Sequence, residues 1–241
     1  MAAKDPPPGR RALLRMLTLP ACATTTLWLG GCATPAPPGA AATEWHDVPL
    51  PGKRRTEYHW EVFDGQRVIK ANAQASASMY RRRLAKPRRE LGQIEFAWWA
   101  HALPQGGDVA TADATDAAAR VLLAFGGDPA RLSQRNQMSF ELARTLTGEA
   151  PPFATLAYVW DVDAPVESLV VHPRSDRMRK IVVESGTQGL RQWRRYRRSI
   201  IADYRRAFGE APGPLLAVAV MTDGDNTRSS LITRYGSIEL G

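Results

Sequence analysis

The chain has 241 residues, of which 44% are hydrophobic and 23% charged. That balance excludes a disordered polymer, a collagen and a protein with many membrane spans. The formal charge of +8, from 32 Lys and Arg against 24 Asp and Glu, admits nucleic acid, anionic lipid or acidic polymers as partners without choosing among them.

The first 31 residues read as an export signal. Lys4, Arg10, Arg11 and Arg15 precede an apolar run from Met16 to Leu29, and small residues follow. That run contains Pro20 and four threonines and falls short of the roughly 20 apolar residues a permanent span requires. The string Leu29-Gly30-Gly31-Cys32 resembles the lipobox of bacterial lipoproteins, in which cleavage precedes a cysteine that carries lipid. Cys32 is therefore the expected lipidation site, with cleavage before Cys22 as the second choice. Arg10-Arg11-Ala12-Leu13-Leu14-Arg15 also resembles a twin-arginine export motif, so export by either route stays open.

Residues 32–43, rich in Pro and Ala and free of charge, suit a tether between a lipid and a domain over 44–241. Cleavage before Cys32 removes four basic residues and Asp5, leaving +5. An acylated N-terminus is the expected membrane partner, each buried methylene contributing about 0.8 kcal/mol. Ala33 follows the cysteine where lipoproteins retained at the inner membrane carry aspartate. The resemblance thus implies an outer-membrane lipoprotein facing the periplasm, and nucleic acid is not an expected partner there. No cysteine follows Cys32, so the domain has no internal disulfide.

From Glu44 onward, short runs rich in Val, Ile, Tyr and Trp are separated by Gly, Pro and Asp, the pattern of an all-β domain. Strands are predicted at 57–63, 67–72, 94–101, 119–126, 154–160, 167–171, 178–184, 215–222 and 231–240. A set of this size implies a β-sandwich. Ile94, Phe96 and Trp98 alternate with Glu95, Ala97 and Trp99, placing one face of that strand in the core. The continuous run Leu215 to Met221 fits a strand covered on both sides. One or two helices are added. Leu190, Trp193, Ile200, Ile201, Tyr204 and Phe208 recur at helical spacing before Gly209 and Pro212, predicting a helix over 190–208. A second is predicted over 134–146, with Met138, Leu142 and Leu146 on one face.

Several strings together resemble the bacterial domain-of-unknown-function family numbered 3047: Ser76-Ala77-Ser78, DAAAR at 116–120, YVW at 158–160, KIVVESG at 180–186, DYRRAFGE at 203–210 and AVMTDGDNT at 219–227. That family has no established activity to transfer. A looser likeness is to galactose-binding-like jelly rolls, the fold of many carbohydrate-binding modules, which implies a jelly-roll sandwich and a glycan ligand. Those modules often carry aspartates in the last strand, where this chain has Gly236 and Ser237.

The candidate sites follow from residue chemistry. Indole faces match the apolar face of a pyranose, so Trp98, Trp99, Trp160 and Trp193 are candidate sugar platforms, with core packing as the plainer alternative for each. Arg120 is a candidate ligand-binding cation. The arginines at 81–83, 88 and 89, with Lys86, suit an anionic envelope polymer. Asp223, Asp225 and Asn226 bunch hard oxygen ligands, so a structural calcium is considered there against an ordinary turn; Arg234 at the twelfth position excludes an EF-hand.

No GxSxG, HExxH, P-loop or GxGxxG string occurs, and His46, His59, His101 and His172 lack metal-ligand spacing. No catalytic residue is assigned. The leading expectation is a non-catalytic module binding a glycan or another envelope component. The alternatives are a polysaccharide hydrolase using paired carboxylates from Asp116, Glu184, Asp223 and Asp225, or a structural lipoprotein binding a protein partner. Ion pairs Asp116–Arg120 and Glu184–Lys180 are the plainer use of those acids.

Overall fold

A computed structural model describes residues 44–241. The expected signal, the tether and Cys32 lie outside the described residues. Twelve strands and two helices are present among those described: β1 (Trp45–Pro49), β2 (Glu57–Phe63), β3 (Gln66–Gln74), β4 (Ser78–Arg88), β5 (Gln93–Ala100), β6 (Ala117–Phe125), α1 (Gln134–Thr147), β7 (Ala154–Asp161), β8 (Leu169–His172), β9 (Ser175–Ser185), β10 (Arg194–Ser199), α2 (Ile200–Phe208), β11 (Leu215–Asp223) and β12 (Ser230–Leu240). They form a seven-stranded sheet, β1-β4-β11-β6-β7-β9-β8, and a five-stranded sheet, β10-β5-β12-β3-β2. All pairings are antiparallel except β7 with β9. The fold is an all-β sandwich of the jelly-roll class carrying two helices.

The core lies between the inner faces of the two sheets. Inward side chains follow the period of two. Ile94, Phe96 and Trp98 of β5 meet Leu156, Tyr158 and Trp160 of β7, with Phe96–Tyr158 and Trp98–Trp160 ring centroids 5.3 and 6.4 Å apart. The β2–β3 hairpin turns at Asp64-Gly65, both at positive φ, as a two-residue turn of matched twist requires.

The helix predicted over 190–208 is half strand. Residues 194–199 form β10 on the edge of β5, and only 200–208 are helical. Alternation decides this: Tyr196 turns inward against Phe96 and Trp98, while Arg195 and Arg197 face out. Ser199 then caps α2 by accepting from the Ala202 N–H, and Gly209 ends it in the left-handed conformation. Tyr204 packs edge-on against Phe125, and Asp203, 7% exposed, accepts hydrogen bonds from Tyr158 and Arg198. Helix α1 forms where expected, but Met138, Leu142 and Leu146 are exposed rather than turned to the core.

Candidate functional site: a groove on the outer face of the seven-stranded sheet

Alternation on the central strands places bulky residues inside and small ones outside. Val218 and Val220 of β11 enter the core, and Ala217 and Ala219 face out. Cross-strand register aligns these outward residues in rows. One row runs Arg81, Ala219, Leu122, Ala157, Lys180; the next runs Met79, Met221, Arg120, Val159, Val182; a third runs Arg83, Ala217, Ala124, Thr155, Met178. An alanine floor between longer side chains makes a furrow, and α1 with Pro151, Pro152 and Phe153 walls one side. Two adjoining cavities result. One, of about 370 Å³, is lined mainly by Leu122, Ala124, Phe140, Phe153, Met178 and Ala219. The other, of about 260 Å³, is lined by Arg120, Lys180, His172, Arg174, Lys53 and the Asp223-to-Asn226 turn. Met79, Leu122, His172, Arg174 and Met178 border both.

Charge is concentrated in the smaller cavity. Arg120, 6% exposed, donates to Asp223 at 2.7 Å and to the Thr115 carbonyl, while its Nε–H is buried and has no partner. Asp223 also accepts from the Ala117 N–H, and burial holds its carboxyl above the ordinary range despite Arg120. Lys180, 1% exposed, donates to the Val109 carbonyl at 2.5 Å. Burial, and then the Arg120 charge, push its pKa down to about 7, with Asp223, Asp161 and Asp108 pulling the other way. His172 is pushed down to about 4, first by burial and then by Lys180, Arg120 and Arg174, and its Nδ1 accepts from the Arg174 N–H.

These shifts have a direct consequence for stability. An unfolded lysine titrates near 10.5, so between pH 7 and 10.5 the unfolded chain binds the extra proton and stability rises with pH. His172 has the same sign between pH 4 and 6.5. Lys180→Met is expected to flatten the upper window and His172→Leu the lower one, read as urea midpoints at stepped pH. Slopes unchanged by the substitutions would contradict this placement.

The carboxylates considered for calcium are held by the protein's own donors. Asp116, Asp223 and Asp225 offer oxygens within 4.8 Å of one another. Asp223 pairs with Arg120 and Asp225 with Lys53, so two cations already face the cluster. Asp116 accepts from Thr227 and from the Asn226 Nδ2 at 2.9 Å, so Asn226 meets the cluster as a donor and not as an oxygen ligand. These are the contacts of a turn with local hydrogen bonds. The paired acids differ from expectation too. Arg120 pairs with Asp223 rather than Asp116, and Glu184 binds Arg194 and Tyr196 while Lys180 points to the opposite face of β9.

The four tryptophans separate. Trp98 and Trp160 expose no surface, so they are core residues and not sugar platforms. Trp99 and Trp193 stand on the outer face of the five-stranded sheet, opposite the groove. Phe63 contacts Trp99 edge-on, the Arg234 guanidinium lies 4.8 Å from the Trp99 ring, and Trp193 donates to Asp64. Of the predicted ligand-binding residues, Arg120 lies in the groove, and so does Arg81 of the arginine run expected to meet an anionic polymer. Lys180, His172 and the alanine floor have no site role in the sequence reading. The readable signal is a lone cation in the apolar strand AAARVLLAF and a cation at the start of an apolar run in KIVV.

A model of the family described as "Protein of unknown function (DUF3047)" matches residues 43–239. The chain belongs to this family. No curated protein matches it. Among solved structures, this family member is similar to the family 11 carbohydrate-binding module of the cellulosomal cellulase Lic26A-Cel5E of Clostridium thermocellum, at 9% identity and a TM-score of 0.39, covering 81% of this chain and 86% of that one. It is also similar to the xyloglucanase domain of NopAA, a type three effector from Sinorhizobium fredii, at 7% identity and 0.38, covering 81% and 98%. The two sheets themselves, not these likenesses, define the fold.

Proposed function

We propose that the protein is a lipid-anchored, non-catalytic binding module of the cell envelope whose ligand, an anionic envelope component, lies in the groove of the seven-stranded sheet. The reading of anchoring and location rests on sequence: the basic and apolar leader, the Leu29-Gly30-Gly31-Cys32 string and Ala33 after it. No helix among the described residues is long and apolar enough to cross a membrane. The observation that supports groove binding is the alanine floor ending at a chamber lined by Arg120, Lys180, Arg174 and Lys53, whose guanidinium and ammonium groups suit an anionic ligand.

Hydrolysis finds less support, because the three acids beside the groove are each engaged by Arg120, Lys53, Asn226 or Thr227. A glycan reading has one supporting observation, the half-exposed rings of Trp99 and Trp193 on the other sheet. One experiment separates them: the full chain carrying Cys32→Ser, probed against purified lipopolysaccharide and acidic oligosaccharides. Groove binding predicts at least a tenfold loss with Ala219→Trp and little change with Trp99→Ala. The reverse pattern would move the site to the five-stranded sheet.

A further inference from the structure

The geometry points to a ligand of one chemical class: a single-chain amphipathic anion, its acidic head in the chamber of Arg120 and Lys180 and its hydrocarbon chain along the alanine floor beneath Phe140 and Phe153. This rests on the groove being the binding surface and goes further in naming what fills it.

The two chambers differ in character and communicate. The larger one is walled by Leu122, Phe140, Phe153 and Met178 over a floor of Ala124 and Ala219, and of the polar side chains that also line it Arg81, Asn136 and Arg177 already donate to Glu149, Asp176 and Glu210. Sugar rings bury many hydroxyls, and each left without a partner lowers affinity, whereas an alkyl chain loses nothing there. The chamber's volume of about 370 Å³ lies within the range of small-molecule sites, about 300–1,000 Å³. Flexible methionines at Met79, Met178 and Met221 border or line the furrow and adapt to an irregular chain.

The smaller chamber suits the head. Arg120 is nine-tenths buried and lines it, and Lys180 and Arg174 stand beside it. Arg120, Arg174 and Lys53 line the chamber with Asp223 and Asp225, and Lys180 adds a further positive charge when it is protonated. A carboxylate and a phosphate monoester share the needed chemistry, a planar or tetrahedral set of acceptor oxygens, and the two are told apart by affinity.

Titration calorimetry of the full chain carrying Cys32→Ser tests this, using octanoate, decanoate, laurate, dodecyl phosphate, non-ionic dodecyl maltoside and an acidic hexasaccharide, all below micellar concentration. Affinity should rise about two- to fourfold per added methylene from octanoate to laurate. Laurate or dodecyl phosphate should bind at least tenfold tighter than the maltoside, and the tighter of the two identifies the head as carboxylate or phosphate. Binding at pH 8 should take up protons as Lys180 becomes charged beside the anion. Ala219→Trp should abolish the alkyl-chain dependence, and the wild-type chain-length series stands without that variant should it fold poorly.

Equal affinity for maltoside and anions would overturn the inference, as would a flat chain-length series. Hexasaccharide binding lost in Ala219→Trp, with no binding of the alkyl anions, would overturn it while leaving the groove as the site. Binding of none of the probes, with lipopolysaccharide binding unaffected by Ala219→Trp, would remove both.

Discussion

Asp223→Ala is expected to destabilise the protein by about 3–5 kcal/mol, because it strands the Arg120 guanidinium without its carboxylate in a site 6% exposed. For a domain of this size that lowers Tm by roughly 6–20 °C. The Ala117 N–H loses its acceptor in the same step. The double variant Arg120→Met/Asp223→Ala should recover more than half of the loss, since no buried charge then remains unpaired. Thermal melts of the two variants check this, and equal destabilisation of both would show that the packing and not the charge is at stake.

The second large effect concerns the tryptophans. Trp160→Ala should cost about 3–5 kcal/mol, through loss of a fully buried indole stacked on Trp98 and of the hydrogen bond it donates to the Gly186 carbonyl at 3.0 Å. Trp99→Ala, at a half-exposed position, should cost about 1–2 kcal/mol or less. Urea unfolding of the pair measures the contrast. A Trp160→Ala protein as stable as Trp99→Ala would mean that the sheets do not meet at that stack.

The nine predicted strands all exist within a few residues of their expected ends, because all but the edge strand β8 bury one face against the other sheet. What was not legible lay where charge masked the pattern. Strand β4 was read only as a dense arginine run, although Tyr80, Arg82 and Leu84 alternate with Met79, Arg81 and Arg83 on opposite faces; Arg82 covers the Trp45 ring on the inner side. In β10, Arg-Tyr-Arg spacing merged with the true helix behind it, and only pairing with β5 separates the two. Strand β1 is held by its register on β4, a tertiary fact with no local signature.

The site was legible in part for a similar reason. Aromatic residues drew attention as ligand platforms, yet two of the four tryptophans form the core. The Ala217, Ala219 and Ala124, Leu122 alternation that shapes the groove is ordinary strand sequence until the strands are placed side by side. Arg120 was visible as a charge in an apolar run. Lys180 is visible in the same way, but even spacing along a strand puts Glu184, four residues on, on its face and predicts their pairing; the register shift between β7 and β9 after Val159 turns Glu184 toward the opposite side.

Two-dimensional NMR of full-length protein carrying Cys32→Ser, with methyl-labelled methionine and indole ¹⁵N-labelled tryptophan, reports both sheet faces in one titration with dodecyl phosphate and with an acidic hexasaccharide. Groove binding predicts that the Met79, Met178 and Met221 methyl signals move together and saturate at one equivalent, while the Trp99 and Trp193 indole signals stay in place. Movement confined to those two indoles, with the three methyl groups unchanged, would contradict it.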